Sequence, residues 1–264
     1  MQPPLLSITN LSKSFKSLSV LHNISLSLAK GEIVSIIGPS GCGKSTLLDI
    51  ISGIQTPDKG EITSDEQSII GIKGLTAYMP QDDVLFPWRT VIDNVILPLE
   101  LAGIEKVIAR KEAEKLFSVF GLAGFEHSYP NTLSGGMKQR ASFLRTHLCN
   151  KEILLLDEPF GKLDALTRMQ MRFWLLNLLK TYERSVLFIT HDIDEAIMVA
   201  DRLYIFSARP ATVVAELTIS LPLPRTQEQL TSPEFSQLKK KALRHLCDNS
   251  TNARVDLQQS QNAP

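Results

Sequence analysis

The chain has 264 residues, 43% of them hydrophobic, and its 28 basic and 28 acidic side chains cancel. That length suits one large domain or a domain with an appendage, with enough apolar content for a sizeable core. The cancelled charge gives no overall field toward nucleic acid or anionic lipid, so a nucleic-acid partner is not expected.

Short strand-like pieces open the chain, Leu5 to Asn10 and Leu18 to Leu28, with Ile24, Leu26 and Leu28 on one face and serines on the other. The apolar run Ile33 to Ile37 reads as a buried strand, and Thr46 to Ile51 has helix-forming character. Pro57-Asp58-Lys59-Gly60 is a turn, after which Glu61-Ile62-Thr63 resumes as strand. Thr76 to Met79 is another strand, stopped by Pro80. From about Val91 to Phe120 charged clusters alternate with apolar positions at helical spacing. Ile153-Leu154-Leu155-Leu156 is the continuous apolar run of a parallel strand covered on both faces. A helix over Ala165–Tyr182, a strand over Ser185–Thr190 and closing strands at Tyr204-Ile205-Phe206 and Val213-Val214-Ala215 follow. Strands alternating with helices predict an α/β fold, with antiparallel strands at the start and a helical insertion in the middle. The helical subdomain is expected at about residues 90–145, inside a domain spanning residues 5–235. Beyond it, in residues 236–264, lies a C-terminal helix around Phe235 to Leu246, then a polar tail from Asp248 to Pro264 expected to be disordered.

The most informative stretch is Gly38-Pro39-Ser40-Gly41-Cys42-Gly43-Lys44-Ser45-Thr46, which fits the phosphate-binding pattern G-x-x-x-x-G-K-[ST] between strand and helix. Its glycines let backbone N–H groups close around phosphate oxygens, and the new helix turns its positive end toward them. Lys44, expected to face a cleft, would reach the β- and γ-phosphates of a nucleoside triphosphate, and the Ser45 hydroxyl would bind Mg²⁺. Asp157 and Glu158 end the buried strand, where an acidic pair can complete such a site. Asp157 suits Mg²⁺, and Glu158 suits a general base that polarises water aimed at the γ-phosphorus.

These parts fit kinases, GTPases and helicases equally. The discriminating piece is Leu133-Ser134-Gly135-Gly136-Met137-Lys138-Gln139-Arg140, a Ser-Gly-Gly that opens a helix ahead of Asp157. With it the chain resembles the nucleotide-binding subunit of ATP-binding-cassette (ABC) transporters over roughly Leu5 to Leu223. The resemblance implies a P-loop NTPase of the ABC type, with an N-terminal antiparallel β-subdomain and an α-helical subdomain carrying the signature motif. It implies that Ser134, Gly135 and Gly136 bind the γ-phosphate of ATP held by the opposite subunit. The physics agrees, since a hydroxyl and glycine N–H groups at a helix N-terminus make an anion site. Gln81 matches the glutamine that touches Mg²⁺ and the attacking water, Asp164 the aspartate at the dimer interface, and His191 the switch histidine on the γ-phosphate. Phe15 stands where the family stacks an aromatic ring on adenine; the alternative is a half-buried strand phenylalanine. Met137 replaces the usual glutamine of the signature, and Lys162 puts a cation where a small residue is usual.

Gln81 to Val91 includes Leu85-Phe86-Pro87-Trp88-Arg89, a composition suited either to an interface core or to a buried internal turn. In this family the region receives the membrane subunit. Together with Pro98-Leu99-Glu100-Leu101, Ser207-Ala208-Arg209-Pro210 and Leu221-Pro222-Leu223-Pro224-Arg225, the run is similar to the branch that imports nitrate, aliphatic sulfonates, taurine and thiamine precursors. The implied protein is an ATPase using ATP and Mg²⁺, working as a homodimer or paired ATPase subunits on two permease subunits. A solute-binding protein would act indirectly, and the location is the cytoplasmic face of the inner membrane. No uninterrupted apolar run approaches the ~20 residues of a membrane span, and the start, Met1-Gln2-Pro3-Pro4, has no signal-peptide character. Cys42, Cys149 and Cys247, odd in number and far apart, read as a reducing compartment; a redox role for Cys42 is the outside alternative. Rival readings are a non-transport ABC ATPase, the ATPase of another transporter branch, and a switch that binds nucleotide without turnover.

Overall fold

The computed structural model describes residues 3–261. In chain order, β1 (Leu6–Phe15), β2 (Leu18–Leu28) and β3 (Ile33–Ile37) lead into α1 (Lys44–Ile51). Next come β4 (Lys59–Ser64), β5 (Gln67–Ser68), β6 (Thr76–Met79) and the helices α2 (Val91–Val95), α3 (Leu97–Leu101), α4 (Lys106–Phe117) and α5 (Gly135–His147). The chain continues through β7 (Ile153–Asp157), α6 (Ala165–Tyr182), β8 (Ser185–Ile189), α7 (Ile193–Val199), β9 (Arg202–Phe206), β10 (Val213–Thr218) and α8 (Pro233–Gln261). It falls into two compact units, one within Met1–Leu75 and Glu183–Pro264, the other within Thr76–Tyr182.

The first unit holds an antiparallel sheet in the order β2-β1-β4-β5 and a second run in the order β10-β9-β3-β8. In the second, β3 pairs in parallel with both β8 and β9, and β10 closes antiparallel on β9. The three parallel strands are apolar on both faces: Val34, Ile36, Val186 to Ile189, Leu203 and Ile205 are all buried. Strand β2 alternates instead, burying Ile24, Leu26 and Leu28 as the period-2 pattern requires. It also bonds to the loop after β9, with His22 N–H to Ala211 C=O at 2.9 Å and Ala211 N–H to Val20 C=O at 2.8 Å. That bond places Val20 and Leu21 against the loop that precedes α1.

In the second unit β6 and β7 pair in parallel, and Ile153 to Asp157 are all buried. The stretch from about Val91 to Phe120, expected to be helical, holds the three helices α2, α3 and α4. Pro98 sits in the first turn of α3, and Gly103, at φ 82°, ends the stretch before α4. Trp174 packs edge-to-face on Phe120 and Phe143 at 5.6 and 5.7 Å between centroids, and the two phenylalanines lie 6.2 Å apart, tilted by 31°.

Helix α8 continues to Gln261, past Leu246 where the apolar pattern ends. The polar stretch from Asp248 to Pro264, expected to be disordered, falls where no side chain is described, and residues 262–264 lie outside the described residues.

Candidate nucleotide site

In the first unit β3 delivers the glycine loop to α1. The loop is packed so that side chains would not fit. A Cβ on Gly43, at φ 122°, would come within 2.7 Å of Val20 and 2.9 Å of Leu21; one on Gly38 would meet Phe206 Cβ at 2.9 Å. The first bond of the helical ladder is Leu47 N–H to Gly43 C=O at 3.0 Å. The N–H groups of Lys44, Ser45 and Thr46 precede it, at the positive end of the helix, where an anion is favoured.

Lys44 is 5% exposed, so it does not stand out into an open cleft. Its ammonium donates to Gly38 C=O at 2.9 Å and Pro39 C=O at 3.1 Å, holding the loop in its curled form. Ser40, Gly41 and Ser45 are exposed, Pro39, Gly43 and Thr46 half-buried, and Cys42 buried. Burial pushes the Cys42 thiol up, partly offset by the Lys44 charge, which keeps it protonated and unreactive. One contact escaped the sequence reading: Arg209 Nε donates to Gly41 C=O at 3.0 Å, so the Ser207 to Pro210 segment fastens the glycine loop. Phe15 is 40% exposed at the end of β1, with Lys13 Nζ over its ring, 5.4 Å from the centroid.

His191, exposed, follows β8 in a tightly bonded turn. Thr190 Oγ1 donates to the buried Glu195 carboxylate at 2.6 Å and accepts from Asp192 N–H at 3.0 Å. The Asp192 side chain then caps α7, accepting from Asp194 N–H at 2.8 Å and Glu195 N–H at 3.1 Å.

The second unit carries the acidic residues. Asp157 ends β7 at 4% exposure, with Tyr78 Oη donating to its Oδ2 at 3.4 Å. Glu158 adopts φ 44°, a left-handed conformation that costs a non-glycine residue free energy and is held by Gly161 N–H to Glu158 C=O at 3.0 Å. Gln81 Nε2 donates to Glu158 Oε2 at 3.2 Å, so two of the expected catalytic residues meet directly. Ser134 is the N-cap of α5, its hydroxyl accepting from Met137 N–H at 3.3 Å. Ser134 and Gly135 are exposed, and a Cβ on Gly136 would approach Thr167 to 3.0 Å. Asp164 caps α6 through Thr167 N–H at 3.0 Å, and the bond from Thr167 holds its carboxyl below the usual range.

Lys162 pairs with Asp82, the residue after Gln81. Its charge is thus engaged inside this unit, on the same segment as Gln81. Arg145 donates at 2.7 Å to the carbonyls of both Asp83 and Val84, and Arg89 pairs with Glu100 at 2.5 Å. These two arginines hold up the run from Leu85 to Trp88. Trp88 itself is 73% exposed and stacks on Phe86 at 5.2 Å between centroids, which rules out an internal core position.

The comparisons with known proteins follow the same lines. The family model described as "ABC transporter" matches residues 21–161, from β2 through the glycine loop and the Ser134 helix to Gly161. The chain belongs to the ABC transporter family. The cassette is 43% identical over 239 residues to the formylaminopyrimidine import ATP-binding protein ThiZ of Halalkalibacterium halodurans, covering 89% of this chain and 94% of that one. It is 42% identical to the aliphatic sulfonates import ATP-binding protein SsuB of Bacillus cereus (88% and 90% covered) and to the taurine import ATP-binding protein TauB of Yersinia pestis (82% and 85%). Among solved structures, the ATP-binding cassette MJ0796 in a dimeric post-hydrolysis state bound to ADP and Pi superposes with a TM-score of 0.72. That match has 29% identity and covers 82% of this chain and all of that one. The cassette is an ABC-type ATPase of the branch whose relatives are import ATP-binding proteins.

Proposed function

We propose that this cassette hydrolyses ATP to drive uptake of a small organic solute of the sulfonate, taurine or pyrimidine type through a partner membrane permease. The observation that carries the reading is the pair of anion-ready helix N-termini in one chain, Lys44 at the head of α1 and Ser134 at the head of α5. A chain with one glycine loop and one signature completes its sites by pairing with a second cassette, each loop facing the partner's Ser134, Gly135 and Gly136. The solved dimer of MJ0796 and the importer names of the relatives support that arrangement.

In this reading the N–H groups of the glycine loop and the Lys44 ammonium hold the β- and γ-phosphates, and Phe15 stacks on the adenine. Glu158 Oε2 accepts the proton of the attacking water, Gln81 holds that carboxylate in place, and His191 donates to the γ-phosphate oxygens. The water oxygen bonds to the γ-phosphorus, the bond to the bridging oxygen breaks, and ADP and phosphate leave. The oxygen donors Ser45, Gln81 and Asp157 suit Mg²⁺, which asks for hard ligands and few of them when phosphates supply the rest. Bound there, Mg²⁺ would neutralise charge on the phosphate oxygens.

Among the described residues no helix is long and apolar enough to cross a membrane. We assign the membrane link to the Leu85 to Trp88 run, whose exposed Trp88 stacks on Phe86, docking on two permease subunits at the cytoplasmic face, with a solute-binding protein delivering the cargo. Reconstitution with permease and binding protein, scanning labelled sulfonates, taurine and aminopyrimidines, tests the reading. ATP-dependent uptake of one of these is expected; ATP turnover with no uptake of any solute would overturn it.

A further inference from the structure

The segment after β10 is tied to both ends of α7, the short helix that begins just past His191. At the near end, Lys239 of α8 donates to Asp194 Oδ2 at 2.9 Å, with Oδ1 2.7 Å away. At the far end, Arg225, its side chain 2% exposed, donates to Met198 C=O at 3.1 Å and lies 3.8 Å from Asp201 Oδ1. The other oxygen of Asp201 accepts from Ile33 N–H at 2.9 Å, at the head of the strand that feeds the glycine loop. Between these anchors, Phe235, Leu238 and Ala242 of α8 are buried at helical spacing, forming the apolar face that a helix presents to its neighbours.

We infer that this C-terminal segment is a brace for the His191 turn, with Lys239 acting as a positioning residue through Asp194. The turn is already fixed internally by Thr190, Asp192 and Glu195, so it moves as one piece with the start of α7. A seven-residue helix has too few internal bonds to set its own place, and its position is dictated by what grips its ends. A buried arginine on a backbone carbonyl is costly to misplace, because its desolvated charge then has no partner. Lys239, half exposed, adjusts the end nearest His191 without carrying the fold. The inference rests on the proposed role of His191 only for its catalytic consequence.

The test compares Lys239→Met and Lys239→Arg in the full chain. The imidazole C2–H resonance of His191, assigned by its loss in His191→Ala, is expected to shift in Lys239→Met and to return toward its original position in Lys239→Arg, with thermal melting nearly unchanged. ATPase assays should show kcat about threefold to fivefold lower for Lys239→Met, KM for ATP within twofold, and no further loss when the change is placed in His191→Ala. An unmoved resonance, or an equal loss of rate in the His191→Ala background, overturns the brace. A shifted resonance together with full activity in His191→Ala would instead sink the catalytic role of His191 and leave the brace standing.

Discussion

Replacing Trp88 with alanine separates docking from folding more cleanly than any other change in this chain. The indole is 73% exposed, and its ring contact is the stack on Phe86 at 5.2 Å. Such a pair contributes ~0.5–1.5 kcal/mol, and for a ring this exposed the lower end applies. At roughly 2–4 °C per kcal/mol for a chain of this size, the isolated cassette should lose about 2 °C of melting temperature at most. If Trp88 is instead the aromatic centre of the permease contact, its removal should cost ~2 kcal/mol or more of assembly, about a 30-fold weaker Kd. The Leu85 to Trp88 run is also held in place by Arg145 and Arg89 from outside it, so the remaining residues should keep their backbone positions. The assay is a pair of measurements on one purified variant, thermal melting of the cassette and its affinity for detergent-solubilised permease. ATP binding should stay normal. A cassette that melts more than ~5 °C lower yet docks with unchanged affinity would refute the reasoning.

Lys44→Ala should abolish most ATP binding and, because it removes a buried ammonium from two loop carbonyls, also cost ~1–3 kcal/mol of stability, read by titration and thermal melting. Lys162→Ala and Asp82→Ala, which break an ion pair exposed on both sides, should leave melting unchanged. They should alter ATPase rate to the same extent singly and together; additive effects would show that the two residues act separately. A thiol reagent at neutral pH should label the exposed Cys247 first. Cys42 and Cys149, whose thiols burial pushes up and so keeps protonated, should react only on unfolding, as read by peptide mass mapping.

Much of this was legible in the sequence where local pattern and burial agree. Strand β2 and helix α6 lie on the stretches Leu18 to Leu28 and Ala165 to Tyr182 that periodicity marks, and the apolar run before Asp157 is buried throughout. Contacts between segments distant in the chain were not legible, because no periodicity encodes them. Arg209 on the glycine loop, Asp82 on Lys162 and Arg225 on the end of α7 are single charged residues whose partners only the fold selects. The left-handed backbone at Glu158 was hidden for another reason: non-glycine residues rarely adopt it, so sequence gives no signal.

The measurement that reaches the central claim most directly is phosphate release by the purified cassette beside its Glu158→Gln variant, with Mg²⁺ and ATP present and dimerisation followed by size-exclusion chromatography. The account predicts steady phosphate release by the unaltered chain, and at least ~100-fold less from Glu158→Gln, which should still bind ATP and accumulate as a dimer that Ser134→Arg abolishes. Equal phosphate release by both, or an ATP-bound Glu158→Gln dimer that Ser134→Arg leaves intact, would contradict it.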